Sequence, residues 1–246
     1  MTGQHGEDPR WLAVIDMQRV FGEPGSPWLA PRFAEIVAPV QKLVQAFGPR
    51  VTFTRFVAPE VPRGAWRRYY DQWPFALQPP TARIYDLVDE FAGEAGPTVD
   101  ATTFSKWGPE LAARVGDGRL VLAGVSTDCC VLSTALAAAD AGVEVQVIAD
   151  ACAGVDDDSH VKALQILRLY SPLVEVTGLA EALREHDSLG LGGAPPQAGS
   201  LCLNRKGNRR RGHGPSGRSM GSHSAMRLAC QPSRCPVERS WRATAS

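Results

Sequence analysis

A three-layer α/β/α domain, built on a mostly parallel open sheet of about six strands, is the fold that this sequence predicts. Three observations predict it. Short β-branched runs alternate with longer stretches of helical apolar spacing, the pattern of a sheet covered by helices on both faces. The chain has 246 residues of which 44% are apolar, enough to bury the core of one generous domain. The periodicity stops near Gly190, so that core must come from the residues before it.

The elements follow in order. Residues 11–16 (WLAVID) are apolar up to a closing aspartate and read as the first strand. Residues 32–47 repeat apolar side chains at helical spacing. Residues 50–56 (RVTFTRF) are rich in Val, Thr and Phe, which suit a strand. A short strand at 97–101 has the weakest pattern. Pro109 and Glu110 open a helix over 109–115, because proline is tolerated in a first turn and an acid favours the positive end of the dipole. Residues 119–125 (RLVLAGV) form the next strand, and 128–141 the helix after a tight turn, with Asp128 placed to cap it. Residues 143–149 (VEVQVIA) and 173–177 (LVEVT) are strands. Between them, 159–170 is a helix whose N-terminus is preceded by Asp156, Asp157 and Asp158, read as capping acids.

The formal charge of zero hides a split. Residues 1–190 hold 16 Lys and Arg against 25 Asp and Glu, and residues 191–246 hold 10 against one. We therefore read a flexible segment over 1–9, a folded domain over 10–189 and a disordered basic tail over 190–246, rich in Gly, Ser and Arg and too poor in apolar residues to offset its ordering entropy. The tail's charge alone is a weak argument for nucleic acid, and no such partner is expected. No run approaches the 18 apolar residues of a membrane span, and MTGQHGEDPR lacks the apolar stretch of a signal peptide, so a cytoplasmic location is expected. The domain's Cys129, Cys130 and Cys152 include no C-x-x-C pair, which argues for reduced thiols over a disulfide framework or zinc knuckle.

In open sheets of this kind, chemistry collects at the carboxyl ends of the strands, where helix N-termini aim their N–H groups. That points to Asp16, Arg55, the turn 124–128 and the loop after Ala149. Cys130 falls in the first turn of its helix, where the dipole favours the thiolate that nucleophilic attack requires, although a free cysteine is as readily a small buried hydrophobe. Asp16 suits a general base, and Lys106, in TTFSKWGPE, precedes a helix and can point back to the same edge.

Taken together, Asp in IDMQ, Lys in FSKWG and Cys in GVSTDCCV, followed by STALAAADAGVEV and ADACA, resemble the isochorismatase-like cysteine hydrolases, which include nicotinamidases and N-carbamoylsarcosine amidases. The resemblance covers about residues 10–187. It implies a Rossmann-type sheet and a catalytic set of Asp16, Lys106 and Cys130. It also implies a cis peptide between Val125 and Ser126, and an oxyanion hole from the N–H groups of Ser126 and Cys130. Homo-oligomerisation is a further implication.

Departures from the family narrow the substrate. Nicotinamidases carry an Asp-x-His metal motif after the second strand, where this chain reads TFTRFVAPEVPRG without a histidine. No metal and no other cofactor are expected. Arg55 stands in that place, and its planar fork could clamp a substrate carboxylate or pair with a surface acid. The insert GAWRRYYDQWPF over 64–75 suits a lid, a subunit contact or a packed aromatic satellite; Trp66, Tyr70 and, next to the lysine, Trp107 are candidates for substrate binding. The resulting expectation is a metal-independent cysteine hydrolase acting on a small amide or ureido compound. Two alternatives stay open: an isochorismatase that cleaves a vinyl ether by acid catalysis, and an inactive binding protein of the same fold.

Overall fold

The computed structural model describes residues 10–94 and 96–188. The segments 1–9 and 190–246 lie outside the described residues. Six strands form one sheet: β1 (Trp11–Ile15), β2 (Val51–Phe56), β3 (Val99–Ala101), β4 (Leu120–Val125), β5 (Val145–Ala153) and β6 (Val174–Thr177). Their order is β3-β2-β1-β4-β5-β6 and every pair is parallel. This is the doubly wound order. The chain leaves β1 toward one edge of the sheet and returns to build outward from β4, opening a crevice between the carboxyl ends of those two strands.

Both faces of the sheet are covered, and the strands show why. In β1, Leu12 and Val14 join one apolar cluster while Ala13 and Ile15 join the other. The first cluster takes Phe33, Ile36, Val40, Leu43 and Phe47 from α2 (Phe33–Phe47), which returns an apolar residue to one face at every third or fourth position. The second takes residues from α5 (Pro109–Val115), α6 (Leu132–Asp140) and α7 (Asp157–Arg168). Two one-turn helices, α1 (Arg19–Gly22) and α4 (Asp89–Ala92), and the helix α3 (Trp66–Gln72) lie in the connections.

Some expectations needed correction. α8 (Leu179–Ser188) is a short amphipathic helix that packs Leu179, Ala182 and Leu183 on the first cluster, and the sequence reading left it out. Polar groups add to this packing: Arg10 donates to Ala182 O (3.2 Å) and Gln146 Oε1 (2.8 Å) and pairs with Glu185, while His186 shares a hydrogen bond with Ala46 O and stacks on Phe47. β5 runs four residues past Ala149, because a register shift between Val147 and Cys152 lets it rejoin β4 at Gly124 and Val125. Asp128 does not cap a helix. Its Oδ1 accepts from Val155 N (2.9 Å), tying the turn after β4 to the end of β5. Asp156 does cap α7, accepting from Ser159 N at 2.7 Å.

Candidate active site

Asp16 follows β1 directly, at the switch point of the sheet. Its backbone has φ 49°, a left-handed conformation that aspartate tolerates better than most residues. The side chain is fully buried, and a buried carboxylate must be compensated. Oδ1 accepts from Thr54 Oγ1 at 2.8 Å, and Oδ2 lies 3.0 Å from Lys106 Nζ as an ion pair without hydrogen-bond alignment. Both side chains of that pair have 0% exposure. Next to it, Met17 enters the core, and the Gln18 side chain donates to Phe56 O (3.0 Å) and Tyr85 O (2.6 Å) while accepting from Phe56 N (2.7 Å). Gln18 thus fixes the end of β2 beside the carboxylate.

Lys106 arrives from the connection between β3 and α5. Its N–H donates to Thr134 Oγ1 (2.9 Å), whose hydroxyl donates in turn to Cys130 O (2.6 Å). One threonine on α6 therefore ties the lysine and cysteine segments together. Nζ also donates to Thr103 O (2.9 Å) and sits 5.2 Å from the centre of the Phe56 ring.

Cys130 is positioned by the passage from β4 into α6. Gly124, with φ 113°, allows β4 to press on β1: a Cβ there would stand 2.1 Å from Ile15 O. The Val125–Ser126 peptide is cis. The next residues, Thr127–Val131, form a single π-helical turn, a widened geometry common at functional sites. Cys129 N and Val131 N both donate to Ser126 O (3.1 and 3.0 Å), leaving the Cys130 N–H between them as the one in that run not bonded to this oxygen. Behind the turn, Thr127 Oγ1 and His160 Nδ1 are 2.8 Å apart.

The Cys130 thiol is pushed well above its ordinary value. Burial is the largest cause; Lys106 pulls the other way, and the charge and hydrogen bond of Asp16 add to the rise. Residue 130 is 4% exposed, so desolvation favours the neutral thiol and opposes the thiolate that a helix terminus would favour. Asp16, Lys106 and Cys130 are nonetheless brought together.

A cleft of about 380 Å³ opens onto Ser126, Cys129 and Cys130. This is at the small end of the ~300–1,000 Å³ usual for ligand pockets. Trp28 is the hub of its wall, with ring centroids at 5.7 Å from Phe56, 5.9 Å from Tyr69 and 6.0 Å from Trp73. Phe21 and Phe104 complete the aromatic lining.

The four expected substrate-binding residues lie elsewhere. Arg55 is engaged in a two-pronged pair with Asp100 on the neighbouring β3, Nε–Oδ1 2.8 Å and Nη2–Oδ2 2.6 Å. Strand alternation turns it away from the face that carries Phe56. Trp107 packs on the second core cluster. Trp66 and Tyr70 share one side of α3 and pack on the first, whereas Tyr69 and Trp73, also four residues apart, line the cleft. The aromatic content of the insert was legible, but the phase of its helix was not. Phe21 and Trp28 were missed, although they lie in the segment after β1, at the sheet edge where chemistry is expected.

Among the described residues, no three His, Cys, Asp or Glu side chains gather as a metal site. At the end of β2 stand Arg55, already paired, and Phe56, a donor set that does not fit a divalent cation.

A family model described as the isochorismatase domain matches residues 10–181. A cysteine hydrolase from Pseudomonas syringae pv. phaseolicola 1448A is 24% identical, covering 74% of this chain and 93% of its own, with a TM-score of 0.65. An isochorismatase family protein from Desulfovibrio vulgaris is 21% identical, covering 74% and 100%, with a TM-score of 0.61. A nicotinamidase from Bacillus subtilis is 22% identical, covering 69% and 99%, with a TM-score of 0.54. No curated protein matches. The likeness to the solved structures carries the fold, and the family match spans most of the folded residues: the chain belongs to the isochorismatase family.

Proposed function

We propose that this protein is a metal-independent cysteine hydrolase that cleaves a C–N bond of a small amide or ureido compound through a thioester on Cys130. The single observation that carries the reading is the fully buried Asp16–Lys106 pair at 3.0 Å, set beside a buried thiol whose ionisation both groups influence and that opens on a ligand-sized cleft. Membership of a family whose solved relatives include a cysteine hydrolase and a nicotinamidase supports the hydrolase class.

Asp16 takes the thiol proton as sulfur attacks the carbonyl carbon, so the thiolate forms only as the C–S bond does. Lys106 holds the carboxylate in place and balances the charge. The tetrahedral oxyanion lies at the Ser126 and Cys130 N–H groups, each such donor contributing about 3 kcal/mol in comparable sites. The C–N bond then breaks, and Asp16 returns the proton to the departing amine. Water attacks the thioester, Asp16 takes its proton, and the acid leaves as the thiol is restored. Rapid-quench mass spectrometry with neutral amides and ureido compounds tests this. An acyl adduct on the peptide containing Cys130, and loss of turnover in Cys130→Ala, are expected; full turnover in Cys130→Ala would overturn the reading.

A further inference from the structure

Every side chain that lines the cleft in front of Cys130 is uncharged. The charges nearest the cleft are engaged within the protein, Asp128 by the Val155 N–H that donates to its Oδ1 at 2.9 Å. Asp16 and Lys106 are buried behind the floor against each other, Arg55 is held by Asp100, and Arg19 pairs with Glu23 and Asp89. A carboxylate entering the cleft would lose its water with no cation to receive it. A cationic group fares no better. Lys106 Nζ already stands over the Phe56 ring, and no lining side chain is an acid.

The rings of the wall also pack on one another. Trp28 meets Phe56, Trp73 and Phe75 edge to face, at interplanar angles of 71°, 66° and 73°, and stacks on Phe21 at 9°. Rings that brace one another this way form a preorganised apolar surface rather than one that reshapes around each guest.

From these observations we infer that the cleft selects substrates whose acyl portion is uncharged and apolar, aromatic or branched aliphatic, with Trp28 as the specificity-determining residue and Val155 as the rim position where that choice can be changed. The inference rests on the hydrolase reading for its chemistry but is tested by binding alone.

Cys130→Ala, which cannot turn over, is titrated by intrinsic tryptophan fluorescence, since Trp28 and Trp73 line the cleft. The probes are benzamide, 4-carboxybenzamide and 4-(trimethylammonio)benzamide. Benzamide is expected to bind at least tenfold more tightly than either charged analogue. Adding Trp28→Ala should weaken benzamide about tenfold and leave the carboxylate unchanged. Val155 is 49% exposed, so Val155→Arg should fold normally and narrow the gap to 4-carboxybenzamide at least tenfold. Equal or tighter binding of a charged analogue, binding of none of the three, or an unchanged preference in Val155→Arg would overturn the inference. Wild-type ammonia release is measured in parallel. Selective binding without a thioester on Cys130 would sink the proposed hydrolysis and leave the selectivity standing; turnover of charged and neutral amides alike would do the reverse.

Discussion

Asp16 has two opposed effects on the same sulfur. Its charge raises the thiol, so the free enzyme holds little thiolate at neutral pH, yet in the proposed mechanism it is the base that removes the proton. Replacing it should therefore split two measurements. In Asp16→Asn, the pH profile for iodoacetamide alkylation of Cys130 is expected to shift to lower pH, because a raising influence is gone while Lys106 remains. Turnover should fall at least ~10³-fold, within the range of a lost acid–base group. Parallel losses in both would mean that Asp16 acts only by holding the fold. Thr134 offers a milder contrast. Thr134→Val removes the hydroxyl between Lys106 N and Cys130 O, and the orphaned buried groups should cost about 1–3 kcal/mol, read as a lowered denaturant midpoint. These residues differ in legibility. Asp16, Lys106 and Cys130 stand in local motifs with an evident chemical role, whereas Gln18 and Thr134, though in the same motifs, take their roles from partners 38 and 28 residues away.

Among the elements, β4 and α8 make the sharpest contrast. β4 reads directly from RLVLAGV because all six of its residues are buried and apolar. Its glycine is required by contact: Gly124→Ala would drive a Cβ into Ile15 O and force an L-residue to φ 113°. We expect about 3 kcal/mol or more of destabilisation, measured by urea unfolding, together with displacement of Asp16, the residue that follows β1. α8 is a short amphipathic helix whose stripe of Leu179, Ala182 and Leu183 packs on the first core cluster, and long-range polar groups add to that docking. His186 is fully buried, and burial holds its imidazole below the ordinary 6.5. The unfolded helix therefore binds a proton that the docked one refuses. Docking is at full strength above pH 6.5 and weakens as pH falls through and below that value. Hydrogen exchange over residues 179–188 should accelerate on acidification, and His186→Phe should flatten that dependence.

For the folded domain, the three thiols among the described residues, together with the buried or half-buried phenols of Tyr69, Tyr70 and Tyr85, limit stability at alkaline pH. Burial pushes Cys129 and Cys152 up to about 12 and Cys130 well above 9.0, whereas the unfolded chain ionises all three near 9.0. Their stabilising effect is whole below pH 9 and is lost as pH rises toward the folded values, by up to ~1.4 kcal/mol per pH unit for each buried thiol. Urea midpoints measured from pH 8 to 11 should fall in this way, and Cys152→Ala should remove one thiol's share of the slope. A flat profile would mean that the thiols ionise in the folded state. The same arrangement places the chemistry. Asp16 and Cys130 follow adjacent parallel strands on either side of the switch point, so the topology brings together residues that are 114 positions apart.

The sequence by itself determined the fold class, the strands of the sheet, and the three residues that meet at the crevice, because hydrophobic period and short motifs are local properties of a chain. Only the tertiary structure decided what surrounds them. Whether Arg55 faces a ligand or Asp100, whether Trp66 or Tyr69 looks into the cleft, and whether Cys130 rests as thiol or thiolate depend on helix phase, strand facing and desolvation. Those are set by neighbours distant in sequence, and no local pattern of residues encodes them.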